Sequence, residues 1–208
     1  MSPLTELIGG AKAYGWGKVL SGATQAFDSI ATYSLANDSS NSVTFSNLDS
    51  VASAYTHLQL RTNARVTFTG SSGISGLYFT FNSDSTAANY SYHRIGTDGI
   101  STPAQYGTGG SLDGLMFATA QGTGALPELN NTPGSAILDI YNFNSSSMNK
   151  VMVCFTNAAT RNTGAGVHYN QIGSKGWFST SPITSMTVYA AQGNLQTNSH
   201  IALYGIKG

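Results

Sequence analysis

LYFTFNSDSTAANYSYHRIG, residues 77–96, is the stretch on which the fold turns. Asp84, His93, Arg94 and several Tyr and Phe rings crowd into it, which invites reading it as an active site. Its pattern argues otherwise. LYFTFN and NYSYHRI alternate aromatic with small polar residues, the period of a half-buried strand, and SDSTAA between them has the chemistry of a turn. The expectation is a β-hairpin in which Asp84 caps the turn, while His93 and Arg94 end a strand as hydrogen-bonding groups.

The same grammar extends outward. SIATYSL (29–35) and SVTFSNL (42–48) alternate across Asn-Asp-Ser-Ser-Asn, a second expected hairpin. YTHLQLRTNARV (55–66) puts His57, Gln59 and Arg61 on one face of a strand and Leu58 and Leu60 on the other. Further strand patterns fall at 75–82, 89–95, 114–120, 135–143, 150–158, 166–172, 176–181, 183–191 and 200–207. The Gly-rich stretches 106–114 and 119–136 read as long surface loops. Strands this dense, with no convincing helix and no βαβ spacing, predict an all-β protein built as an antiparallel β-sandwich. A jelly roll fits best, because its eight core strands leave room for extra edge strands in a body of this length.

Residues 1–26 differ from the body that follows at 27–208. Leu4, Leu7 and Ile8 give one turn of helical spacing, and Gly9, Gly10, Gly15 and Gly17 then forbid a long helix. Tyr14, Trp16 and Val19 sit among those glycines. So short a segment cannot bury Trp16 against itself. It reads as an N-terminal extended arm whose Leu4, Leu7, Ile8, Tyr14, Trp16 and Val19 dock on a neighbouring subunit or another partner.

Composition bounds the function. Only 9% of the 208 residues are charged, nine Lys+Arg against nine Asp+Glu, where about 25% is usual. Scattered cations and zero net charge argue against direct nucleic-acid binding, which needs clustered Lys and Arg. So little charge also favours association, a property suited to a stable assembly. No stretch reaches the roughly 18 apolar residues that span a membrane, and the first residues lack the basic and apolar regions of a signal peptide. A chain made in a cytosol and not exported is expected. The single cysteine, Cys154 in VMVCF, excludes an internal disulfide and reads as a buried strand residue.

Candidate chemistry is thin. Glycoside hydrolysis needs two carboxylates at a set separation, yet Asp38, Asp49, Asp84, Asp98 and Asp113 all stand in turn contexts, where Asp bonds local backbone. Asp139, in ILDIY, is the one strand carboxylate, and alternation points it outward. No G-x-S-x-G elbow is present, and His57, His93, His168 and His200 lack the spacing of a metal site. Neither catalytic residues, a metal nor a cofactor is expected. Carbohydrate binding is the rival reading, from eleven Tyr, two Trp and abundant Asn, although many of those Tyr fall in strand alternation, where they stabilise sheets.

Four phrases taken together carry a resemblance: YTHLQLRTNAR, GLYFTFNSDSTAANYSYHRIG, AILDIYNFNSSSMNKVMVCFTN and GWFSTSPITSMTVYAAQGNLQTNSHIALYGIKG. They resemble a β-sandwich family of tailed-phage virions, with Tyr55–Arg61, Phe81–His93, Ile137–Tyr141 and Ala202–Lys207 in its recurring motifs. The nearest analogy is the jelly-roll decoration, or cement, proteins of phage and cyanophage capsids. The resemblance implies a non-enzymatic structural protein on the outer capsid surface of a virion. It would be made in the host bacterial cytoplasm, form a homotrimer and bind the major capsid protein between capsomers. The alternative is a receptor- or glycan-binding module of a head or tail fibre.

Overall fold

The computed structural model describes residues 27–69, 74–97, 102, 104–108, 116–121, 132–162 and 165–207. The arm residues Leu4, Leu7, Ile8, Tyr14, Trp16 and Val19 lie outside the described residues, as do Asp98 and Asp113. Strands dominate the described residues, and the helical turns among them are Leu48–Val51 and Ala87–Asn89, as the all-β reading expects.

In chain order the strands are β1 (Phe27–Ser34), β2 (Ser42–Phe45), β3 (His57–Thr69), β4 (Ile74–Phe81), β5 (Tyr90–Thr97) and β6 (Ala104–Thr108). They continue with β7 (Met116–Gln121), β8 (Gly134–Tyr141), β9 (Lys150–Asn162), β10 (Ala165–Trp177), β11 (Met186–Ala190) and β12 (His200–Ile206). Two antiparallel sheets result. Sheet A runs β1-β12-β3-β8-β9-β10-β5-β6 and sheet B runs β2-β11-β4-β7. β3 belongs to both: His57–Ala64 pairs with β12 and β8, while Arg65 and Val66 pair in parallel with β7.

The inner faces close on each other because apolar residues fall at every second position. Leu58 and Leu60 of β3, Leu138 and Ile140 of β8 and Met152 and Cys154 of β9 meet Leu77, Phe79 and Phe81 of β4 and Met186 and Val188 of β11. All are essentially inaccessible to water. Each large side chain buried this way contributes about 1.5–3 kcal/mol of transfer free energy, which the ordering of the chain largely offsets.

Both expected hairpins are corrected. β1 pairs with β12 in sheet A, whereas β2 pairs with β11 in sheet B. Likewise β4 pairs with β7 and β11, whereas β5 pairs with β10 and β6. Neighbours in sequence therefore lie in opposite sheets, and residues 77–96 form an arch over the end of the sandwich. The arch needs backbone that turns left, and Asn82 and Ser83 supply it with φ of 50° and 59°. Asn82 is also stitched to the loop before β11: its Oδ1 accepts from the amides of Thr184 (2.8 Å) and Ser185 (3.1 Å), and its Nδ2 donates to the Pro182 carbonyl (2.8 Å).

Smaller differences also have local causes. The pattern at 166–172 lies in the long β10, which runs through Gly173 and Gly176 to Trp177, while residues 178–181 of the pattern expected at 176–181 are not strand. The Gly-rich stretch expected as loop contributes the edge strand β6, where Gly107 leaves room for the Tyr92 ring that a Cβ would strike.

Candidate interaction surface

Asp84 is the hub of the arch. Its carboxylate accepts from the Trp177 indole Nε1 (2.8 Å), from Asn89 Nδ2 (2.8 Å) and from the Thr86 amide (2.9 Å). Its carbonyl accepts from the Tyr90 hydroxyl (3.0 Å), which in turn accepts from the Phe81 amide (3.1 Å). Partial burial pushes this carboxyl up, but the donors from Trp177, Asn89 and Thr86 outweigh it and hold Asp84 below its ordinary value. Every acceptor position is spent on holding β4 to β5 and β10. The expected turn cap is present, and it clamps two sheets.

His93 and Arg94 part company. His93 faces outward, with its ring 6.0 Å from that of Tyr106. Arg94 points to the other side of β5, donating from Nε to Gln105 (2.8 Å) and lying over the Tyr92 ring. Asp139 stands on the outer face of β8 and accepts from Gln59 Nε2 (2.7 Å), an ordinary cross-strand pair. Asp38 does not cap its own turn; it accepts from the Thr197 amide (2.6 Å) and hydroxyl (2.7 Å) and so ties down the loop before β12. Burial, reinforced by the negative charge of Asp139, pushes the Cys154 thiol up to about 12, the behaviour of an inert core cysteine.

The described histidines are dispersed. His57 Nδ1 accepts from the Asn142 amide (3.1 Å), and His200 Nδ1 bonds the Ser34 hydroxyl (2.9 Å) at the far end of the same sheet. Among the described residues no three His, Cys, Asp or Glu side chains group so as to hold a metal ion, and no helix is long and apolar enough to cross a membrane. Buried polar groups serve packing. Lys150 Nζ donates to the carbonyls of Ser145 and Met148 (both 2.8 Å), Thr180 (3.3 Å) and Ser179 (3.5 Å), pinning the turn before β9 to the loop after β10. Lys175 Nζ lies 4.5 Å from the Phe79 ring centre and 5.1 Å from that of Tyr90.

The feature that chemistry-bearing residues could not disclose is the outer face of sheet A. Ile137, Phe155, Ile172 and Ile95 stand in register across β8, β9, β10 and β5, each 41–52% exposed. Tyr141 and Val151 form a second pair on this face, and Val153, Ser174, His93 and Tyr106 a third row. Eight large apolar side chains are thus exposed together, Tyr106 the most at 79%. Between β9 and β6 they border an open trough of about 660 Å³, lined chiefly by Val153, Ile172, Ile95, Tyr106, His93 and Ser174. A contiguous apolar surface of this kind is a candidate interaction site for a protein, a membrane or an apolar ligand. The missed signal lay in VMVCF and AILDIY, where both strand faces are apolar although the body covers only one.

At the opposite edge of sheet A, Phe27 stacks on Tyr204 at 4.8 Å, and the Arg61 guanidinium lies over both rings at 5.0 and 5.2 Å. The Tyr55 hydroxyl donates to Asp28 (2.8 Å), and its ring fills the space that a side chain at position 205 would need. The chain preceding Phe27 therefore joins the body at a firmly packed point.

Comparison with protein-family models, with curated proteins and with solved structures finds no match to this chain.

Proposed function

We propose that the protein is a structural virion component: a capsid decoration, or cement, protein. It binds the outer capsid surface and reinforces contacts between capsomers of the major capsid protein, with no enzymatic activity. The observation that carries the reading is the exposed apolar face on β8, β9, β10, β5 and β6, on a body with only 9% charged residues. Interfaces of this kind depend on shape, apolar cores and hydrogen bonds more than on charge. Many copies, each touching several neighbours, gain by multivalency.

Strand order supports the jelly-roll part of the reading. Setting aside β5, β6, β9 and β10, eight strands remain; the first, eighth, third and sixth make one sheet and the second, seventh, fourth and fifth the other. That order winds two Greek keys, as a jelly roll does. Three of the four resemblance motifs fall on the adjacent strands β12, β3 and β8, and the fourth is the arch. Their polar groups are occupied in holding strands together, consistent with a family defined by its frame.

A glycan-binding module is the weaker reading. Tyr106 offers a ring for stacking, and His93, Arg94, Gln105 and Ser174 are the polar side chains of the trough, but Arg94 and Gln105 are bonded to each other, which leaves few groups for a sugar that needs several. Quantitative mass spectrometry of purified virions tests the proposal. A copy number comparable to the major capsid protein is expected; absence, or a handful of copies per particle, overturns it.

A further inference from the structure

We infer that the apolar trough of one copy receives the N-terminal segment of a second copy, with Trp16 as the anchor, so that copies join head to tail into a closed ring. The inference deepens the assembly half of the function proposed above and rests on it only there, since it requires no virion.

The argument is one of reach and chemistry. The described chain begins at Phe27, on β1, one edge of sheet A. The trough lies around β5, near the other edge. Six strand spacings separate β1 from β5, about 29 Å at roughly 4.8 Å each. Eleven residues separate Trp16 from Phe27. A flexible segment of that length has a root-mean-square reach of about 18 Å and spans the distance only when drawn out to roughly three-quarters of its limit of about 36–40 Å. Trp16 therefore reaches its own trough poorly.

A neighbour removes the difficulty. When the β1 edge of one copy faces the β6 edge of the next, the segment leaving Phe27 starts within one or two strand spacings of the neighbour's trough. Phe27 points the right way, because it packs on the same outer face as Tyr204 and Arg61. The chemistry also matches. The apolar borders of the trough are Ile95, Tyr106, Val153 and Ile172, with Arg94 beside them and no carboxylate, and Leu4, Leu7, Ile8, Tyr14, Trp16 and Val19 supply apolar side chains, with Glu6, Lys12 and Lys18 interspersed. A contact joining two different surfaces is heterologous and closes into a ring when the rotation allows, which is how a homotrimer would arise.

The test uses the full chain, a chain lacking residues 1–24, and the outer-face variant Ile172→Lys, each checked by circular dichroism and sized by sedimentation velocity. The full chain is expected to form a ring. Deletion and Ile172→Lys should each give monomers with an unchanged β spectrum. Mixing these two should restore association as a 1:1 complex, since one retains the segment and the other the trough. Trp16→Ala should weaken ring association by about 30-fold, the loss expected of a central aromatic anchor. Rings that survive both the deletion and Ile172→Lys overturn the inference. So does a monomeric full chain with a blue-shifted Trp16 emission, measured against Trp16→Phe, because that places the segment on its own face. A ring in solution with few copies per virion would remove the cement reading and leave this inference standing.

Discussion

The two outer faces of the sandwich are made of the same kind of backbone and carry opposite surfaces. On sheet B, Thr44, Thr187 and Thr80 stand in one row and Ser42, Tyr189 and Tyr78 in the next. The Thr44 and Thr187 hydroxyls bond at 2.9 Å, and the Tyr78 and Tyr189 rings meet edge to face at 5.7 Å. Cross-strand pairs of this type stabilise a sheet while offering hydroxyls to water. On β8, β9, β10 and β5 of sheet A the corresponding rows are Ile137-Phe155-Ile172-Ile95 and Tyr141-Val151. Strands β9, β10, β5 and β6 carry sheet A beyond β8, and the apolar groups on this part of its outer face are exposed among the described residues.

The contrast can be broken hardest along β9, where alternate residues face the core and the outer surface. Met152→Ala, on the inner side, should cost about 2–5 kcal/mol of stability in urea denaturation. Phe155→Ser, three residues on, should change stability by no more than about 0.5 kcal/mol; a large loss there would show that the outer face is covered within the folded chain.

The arch comes next. Asp84→Ala leaves the Trp177 indole, the Asn89 amide and the Thr86 amide without their acceptor, at about 1–3 kcal/mol. Because the folded carboxyl lies below its ordinary value of 3.8, its stabilisation is complete above that pH and is lost as pH falls through the folded value. Acid titration of Asp84→Asn should therefore be flatter than that of the natural chain below about pH 4; parallel curves would dissociate the hub from acid stability. Smallest of all, Thr187→Val, on the hydroxyl face, should shift stability by about 0.5 kcal/mol or less in the same denaturation assay. Should it drive the body to associate, the hydroxyl row would prove to be what keeps that face apart from its neighbours.

Much of the body was legible because its strands alternate. Leu58 and Leu60 inward with His57, Gln59 and Arg61 outward is a pattern that only one orientation of β3 satisfies, and the structure has it. Pairing was not legible. A short polar link between two alternating segments suits a hairpin, but the same Asn82-Ser83-Asp84 link also makes an arch once Trp177 and the 182–185 loop, remote in sequence, bond to it. Nothing within residues 77–96 distinguishes the two. The candidate surface hid for a related reason: Val151, Val153 and Phe155 look like core residues, and only the sheet order reveals that no second layer among the described residues faces them. Alternation places Asp139 outward and the burial habit of a free cysteine places Cys154 in the core, and the structure agrees with both.

The pairing of β1 with β12 has a mechanical consequence. Phe27 through Ser34 lies antiparallel to His200 through Ile206, joined by seven paired positions. Tension on the segment before Phe27 pulls along the axis of β1, so the load falls on the ladder in shear, with its hydrogen bonds strained together instead of peeled apart one by one. The Tyr55–Asp28 bond and the Phe27–Tyr204 stack sit at the loaded end. A body held through this strand would resist such a pull as a rivet resists sliding plates.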